Sequence, residues 1–166
     1  MTLTDHAQLA LLLEVAGTPK PGNVDRHRDY PDLRFEHFLA GAAGARAGLE
    51  RAASGVPVGE AFETAVRGMS QQDGGNTQFG ALLLVVPLVV AAADGDVVDP
   101  ELATAVVEKT TVDDAAAFYR AFDHVDVAVP EPPPDATELD VRLGSQAIPA
   151  VRDRGLTLED IMELSA

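Results

Sequence analysis

The stretch Gly74-Gly75-Asn76-Thr77-Gln78-Phe79-Gly80-Ala81-Leu82-Leu83-Leu84-Val85-Val86-Pro87-Leu88-Val89-Val90-Ala91-Ala92-Ala93 decides the fold class. An apolar run of this kind fits a buried strand or a buried helix, and periodicity alone does not separate the two. Pro87 and the alanines at 91–93 count against a strand over Leu82–Val86. The reading is therefore a helix from Phe79 to Ala93 that is apolar on all sides and belongs in the middle of a bundle. Pro87 should kink it or leave one carbonyl without a donor. The longest unbroken apolar run, Ala81–Ala93, is 13 residues, too short to span a bilayer.

Working outward, the neighbouring segments are also helical. Asp5–Ala16 carries apolar residues at Ala7, Leu9, Leu12, Leu13, Val15 and Ala16, with Thr4 or Asp5 as its N-cap and Gly17 as its stop. Phe35–Ala53 reads as one second helix. Its three glycines, Gly41, Gly44 and Gly48, cost about 1 kcal/mol each against alanine, so close packing or a ligand must justify them. Pro57 opens a third helix that runs to about Gln71. Asp99-Pro100 caps a fifth to about Lys109, and Thr111-Val112-Asp113-Asp114 is a capping signal for a sixth that ends near Asp123. Asp126–Asp140 has five carboxylates, four prolines and no Lys or Arg, the composition of an exposed linker. Weak helices follow near 138–152 and 157–164. The expected fold is all-α, a compact helical bundle with a central apolar helix. Its expected organisation is a core over 1–125, an acidic Pro-rich linker over 126–137 and a helical tail over 138–166.

The 166 residues make one ordinary domain, and 46% apolar content is enough for a core, which excludes a disordered chain. Without cysteine there is no disulfide framework and no thiolate zinc site. The balance of 27 acidic against 12 basic residues, a formal charge of -15, repels phosphate backbones and argues against general nucleic-acid binding. Ten of the basic residues are Arg; only Lys20 and Lys109 are Lys. Such a surface suits a halophilic cytoplasm, where salt screens self-repulsion. Met1-Thr2-Leu3-Thr4-Asp5 has no basic n-region, so no signal peptide and no membrane association are expected. An apolar central helix in so short a chain also fits a homodimer that completes the core.

Two loops could carry chemistry. In Pro19-Lys20-Pro21-Gly22-Asn23-Val24-Asp25, two prolines fix φ around the one lysine of the N-terminal half, and Gly22 lets backbone approach a ligand. Lys20, Asn23 and Asp25 together could hold a polyphosphate and its Mg²⁺. The same residues also make a stiff interhelical connection with solvated charges, and the spacing leaves both readings open. In Gly74-Gly75-Asn76-Thr77, a glycine-rich approach aims free N–H groups and the positive end of a helix dipole at an anion. Asn76 or Thr77 serving only as an N-cap is the alternative. Phe79 is either a core aromatic or a surface on which a base stacks. Of the four histidines, His6, His27, His37 and His124, no two have metal-ligand spacing.

Taken together, Leu12-Leu13-Glu14-Val15, Pro19-Lys20-Pro21-Gly22-Asn23-Val24-Asp25 and Gly74-Gly75-Asn76-Thr77 with Gly80 resemble the triphosphoribosyl-dephospho-coenzyme A synthase family. Asp32-Leu33 with Phe38-Leu39, and Thr111-Val112-Asp113-Asp114-Ala115 with Tyr119-Arg120-Ala121, are similar to further family segments. Many bacterial members carry His-Lys after Asn-Thr, where this chain has Gln78-Phe79. Asp29-Tyr30-Pro31 replaces a Gly-x-His. Both departures resemble an archaeal-type branch, and the C-terminus is expected to be shortened.

The resemblance implies transfer of the 5-triphosphoribosyl group of ATP to a hydroxyl of dephospho-coenzyme A, with release of adenine. Attack at ribose C1 passes through an oxocarbenium-like transition state, which calls for a base, a proton for the leaving adenine and carboxylates against positive charge. On this mapping Lys20 holds the triphosphate, and Gly22, Asn23 and Arg26 complete its loop. Asp25 and Asp32 bind Mg²⁺, and the Gly74, Gly75, Asn76 and Thr77 amides cradle another phosphate. Glu14, Asp25 and Asp32 are the candidate catalytic carboxylates, with Glu14 open between a structural partner for a cation, an ion or ribose ligand and the base. The alternatives are a non-catalytic nucleotide-binding helical protein and an enzyme acting at the ribose of another nucleotide or cofactor.

Overall fold

The structure, a computed structural model, describes residues 1–93 and 99–164. Its regular elements are α1 (Leu3–Ala16), α2 (Phe35–Gly44), α3 (Arg46–Ala53), α4 (Val58–Met69), α5 (Phe79–Ala93), α6 (Pro100–Glu108), α7 (Val112–Ala121), α8 (Ile148–Arg154) and α9 (Leu158–Leu164). Short 3-10 segments at Thr137–Leu139 and Val141–Ala147 precede α8. The all-α expectation holds.

Capping chemistry sets most of the helix starts. Asp99 accepts from the Glu101 N–H at 2.9 Å and starts α6. Thr111 and Asp114 form a reciprocal capping box on α7. The other oxygen of Asp114 accepts from the Gly59 N–H at 2.7 Å, which ties the start of α7 to the start of α4. At α1 the cap is Thr2 rather than Thr4 or Asp5. Thr2 accepts from the Asp5 N–H at 3.2 Å, and the Asp5 carboxylate accepts from the Thr2 N–H at 2.8 Å. Thr4 is buried and Asp5 sits at the third helical position, so neither can cap. The expected second helix divides at Ala45 (φ -66°, ψ -14°). The flanking glycines make this stretch the easiest place to bend.

Close packing accounts for those glycines. The α2–α3 pair runs antiparallel to α4, with Gly44 against Gly68 and Gly48 against Ala65; a Cβ at Gly44 or Gly48 would fall under 3.0 Å from the facing backbone. Helices α4 and α7 run parallel. Gly59 faces Asp114, Phe62 stacks on Phe118 with centroids 5.9 Å apart, and Glu63 pairs with Arg120 at 2.8 Å. Helix α1 lies antiparallel to α2, with Val15 beside Phe38 and the Gln8 amide donating to the Ala42 carbonyl at 3.1 Å.

Helix α5 occupies the centre, packing against α1, α3, α4 and α6 and giving Phe79, Leu82, Val86 and Val89 to the core. It runs unbroken through Pro87, so the Leu83 carbonyl has no donor from the helix. Burial is not complete all round: Leu84 is 70% and Leu88 38% exposed. No described helix covers that face.

Residues after the acidic stretch do not form a core of their own. Leu139, Ala147, Val151, Leu158 and Ile161 join the cluster that contains Leu11, Leu49 and Phe62. No helix among the described residues is long and apolar enough to cross a membrane. The pairings above gather one end of the bundle from the last turns of α1, α4 and α7 and the first turns of α2 and α5.

Candidate functional site

Lys20-Pro21-Gly22-Asn23 folds as a type II turn. The Asn23 N–H donates to the Lys20 carbonyl at 3.1 Å, and Gly22 takes the positive φ of 81° that this turn demands. Asp25 then locks the loop from inside. One carboxylate oxygen accepts from the Lys20 N–H at 3.0 Å and the other from the His27 N–H at 2.8 Å. Asp25 is buried, and these donors, Lys20's first, hold its pKa below the usual carboxylate value. Val24 is fully buried with Val15 and Phe38, which fastens the loop to α1 and α2. Asn23 is exposed, and its side-chain oxygen accepts from the Val24 N–H at 2.7 Å.

Lys20 forms an ion pair with Glu14 on the last turn of α1. Of the readings open for Glu14, the structure gives it a cation as partner. Asp32 is exposed and has no hydrogen bond or ion pair among the described residues. Arg26 is exposed, and the Arg28 guanidinium lies over the Tyr30 ring, 5.6 Å from its centroid.

The glycine loop is also tied down internally. The Gly74 N–H donates to the Gln72 side chain at 2.6 Å, and that side chain donates to the Gly75 carbonyl at 2.7 Å. Gly75 has φ 68° and is exposed. Asn76 accepts from the Phe79 N–H at 3.1 Å, which is the capping role. Gln78 anchors the loop to the bundle: its amide donates to the Leu11 carbonyl at 3.0 Å and its backbone N–H to Met69 Sδ at 3.2 Å. The Thr77 hydroxyl and the Gln78 side-chain oxygen are buried without a partner. Asn76 satisfies only the first orphan donor of α5, so the Gly80 and Ala81 N–H groups remain open at the helix tip.

Both loops meet the first turn of α2. Phe38 packs on Val24 of the first loop, and the His37 ring lies so close to Gly74 that a Cβ there would overlap it. His37 Nδ1 accepts from the Arg34 N–H at 3.3 Å, and the Arg34 guanidinium approaches the other ring nitrogen at 3.4 Å. Arg34 and His37 escaped the sequence reading. They belong to no motif, and only the fold shows that they border the glycine loop.

Phe79 is a core residue, with ring centroids 5.1 Å from Phe62 and 4.8 Å from Phe122. Arg120 is occupied by Glu63, and the Tyr119 hydroxyl donates to the Leu139 carbonyl at 2.6 Å. No group of three or more His, Asp or Glu residues placed for a metal occurs among the described residues.

Charge distinguishes this end of the molecule. Among the described residues, five basic side chains have no carboxylate partner: Arg26, Arg28, Arg34, Arg67 and Lys109. Three of these lie on the 26–34 stretch and Arg67 on the last turn of α4; Lys109 lies at the other end. The 26–34 stretch also carries Asp29 and Asp32, so what it offers an anion is individual guanidinium donors rather than a net positive patch. Cavities flank the bundle among the described residues. One of about 700 Å³ lies at the far end, between Pro57, Lys109 and Arg152. Another, about 530 Å³, opens at the loop end beside Phe79 and Gly80.

The fold and the site define an all-helical protein with two rigid loops and unpaired cations at one end of its bundle. The CitG family model, ATP:dephospho-CoA triphosphoribosyl transferase, matches residues 1–166. The chain belongs to that family, as the two loop motifs implied. No curated protein and no solved structure matches it significantly.

Proposed function

We propose that this chain transfers the 5-triphosphoribosyl group of ATP to dephospho-coenzyme A at the loop end of the bundle. The C1–N bond to adenine breaks, a bond from C1 to the acceptor oxygen forms, the hydroxyl proton leaves to a base, and the departing adenine takes up a proton on a ring nitrogen, so that no net proton is released. The observation that carries this reading is the cluster of unpaired Arg26, Arg28 and Arg34 beside the Lys20 turn, in an otherwise acidic chain of the family.

Lys20 keeps Glu14 as a partner and offers its remaining N–H donors to the triphosphate. The α5 tip, with open Gly80 and Ala81 N–H groups, faces a second phosphate. Asp25 is a positioning residue, because both of its oxygens already hold loop backbone. Of the three candidate catalytic carboxylates, Glu14 and Asp32 are the two open to substrate, and Asp32 is assigned as the base because it carries no partner.

The donor set fits Mg²⁺ only as an ion carried by the nucleotide phosphates. Asp25 is occupied and no cluster of three ligands exists among the described residues, whereas Mg²⁺ is content with one or two carboxylates plus phosphates and water. There it would neutralise phosphate charge beside Glu14. The acidic surface is read as adaptation to a salty cytoplasm, so assays belong in molar KCl.

Chromatography of incubations with ATP, with and without dephospho-coenzyme A, tests the reading. Free adenine should appear only with the acceptor present. ATP binding without any adenine would replace the proposal with a non-catalytic nucleotide-binding protein. Adenine released equally without the acceptor would point to another reaction at the ribose.

A further inference from the structure

We infer that the 530 Å³ cavity at the loop end holds the pantetheine arm of the acceptor, a branched hydrocarbon chain interrupted by secondary amides. The inference rests on the proposed function for the acceptor's identity; the groove's own chemistry selects the part of the acceptor that enters it.

Position comes first. Phe79, Gly80 and Leu83 form one wall, and they lie on the opening turns of α5, whose tip faces the phosphates. An acceptor whose nucleotide end lies beside that tip, next to the ATP phosphates, can extend its arm along this wall. Gly80 is exposed, with nothing within 4 Å of where its Cβ would be, so the entrance is open.

The opposite wall supplies the complementary groups. It is the acidic Pro-rich stretch, folded back so that Val129 and Pro132 face the cavity. Prolines at 130, 132, 133 and 134 hold the residues before them in extended conformations. Among the described residues, the N–H groups of Val127, Ala128, Val129 and Glu131 have no protein partner, and backbone bonds begin only past the prolines, from Ala136 to the Pro133 carbonyl and from Leu139 to the Ala136 carbonyl, each at 2.9 Å. An edge of unpaired N–H and C=O groups binds a ligand that presents amides at intervals, as an added strand would. Phe122 and Ile161 give the hydrocarbon an apolar floor. Tyr119 anchors the far end of the wall through Leu139. Burial, and then Asp140, push its phenol up to about 12, so it stays a neutral donor. The volume lies within the roughly 300–1,000 Å³ of small-molecule sites. The larger far-end cavity is lined by charges of both signs and lies away from both loops.

Calorimetry with pantetheine alone, then with dephospho-coenzyme A and with ADP, tests this without any turnover. The parent protein should bind pantetheine, and should bind dephospho-coenzyme A at least about tenfold more tightly than ADP, which lacks the arm. Val129→Arg, a change on an irregular stretch, should lower the affinity for pantetheine and dephospho-coenzyme A about tenfold or more and leave that for ATP unchanged. Hydrogen exchange at 127–131 should slow when pantetheine is added to the parent. Equal affinity for dephospho-coenzyme A and ADP, or a Val129→Arg protein that binds pantetheine like the parent, overturns the inference. Groove-dependent pantetheine binding in a protein that never releases adenine would leave the inference standing and remove the transferase reading.

Discussion

If the loop end binds ATP as proposed, Lys20→Ala should lower the affinity for ATP about thirtyfold, which corresponds to about 2 kcal/mol for a hydrogen bond between charged groups. The expected loss has two parts. The phosphates would lose a cation that the type II turn and Asp25 hold in place, and Glu14 would lose its neutralising partner and repel an incoming triphosphate. The turn itself should persist, because Asp25 is held by the Lys20 backbone N–H and not by its side chain. Thermal stability should therefore change little, since a solvent-accessible ion pair contributes at most about 1 kcal/mol. Adding Glu14→Gln to Lys20→Ala should restore part of the binding, a coupling that a double-mutant cycle reads directly. Calorimetry checks both variants. A Lys20→Ala protein that bound ATP like the parent would end the triphosphate assignment.

Gly44→Ala should destabilise the fold by about 2 kcal/mol even though alanine is the better helix former. The new Cβ would sit 2.8 Å from the Gly68 carbonyl carbon and closer still to its oxygen. That obstacle is backbone, so no side chain can swing aside, and α2 must move away from α4. For a chain of this length the melting temperature should fall by about 4–8 °C. Gly80→Ala is the control with the opposite sign: nothing lies within 4 Å of its Cβ, so only the propensity gain of up to about 1 kcal/mol remains. Equal melting temperatures for the two variants would mean that the α2–α4 crossing is looser than described.

The local chemistry of this chain was readable residue by residue. Thr111 with Asp114, Asp99 before Pro100, and Gly22 after Pro21 each specify a backbone event within four residues, and each occurs where its motif stands. Long-range consequences were not readable. Nothing near Gly44 announces Gly68, and nothing near Gly74 announces His37, because such contacts depend on how helices cross. The division at Ala45 escaped for the same reason: a helical period continues across it, and the bend follows from packing along α4.

The acidic stretch was a harder case. Prolines and carboxylates look the same in a linker and in a wall, and only the cavity beside Val129 and Pro132 tells them apart. At the site, the motifs supplied Lys20 and Asn76, while their environment supplied the roles. Asp25 looked like a metal ligand by residue type, yet its two oxygens are occupied by the loop's own N–H groups.

Hydrogen exchange with and without ATP, read at the level of short peptides in molar KCl, tests most directly whether the loop end is the nucleotide site. ATP should slow exchange over 20–34 and 74–81 together, and leave 55–60 and 109–114, which border the far cavity, as they were. Protection confined to the far-end segments, or to one loop without the other, would contradict the account.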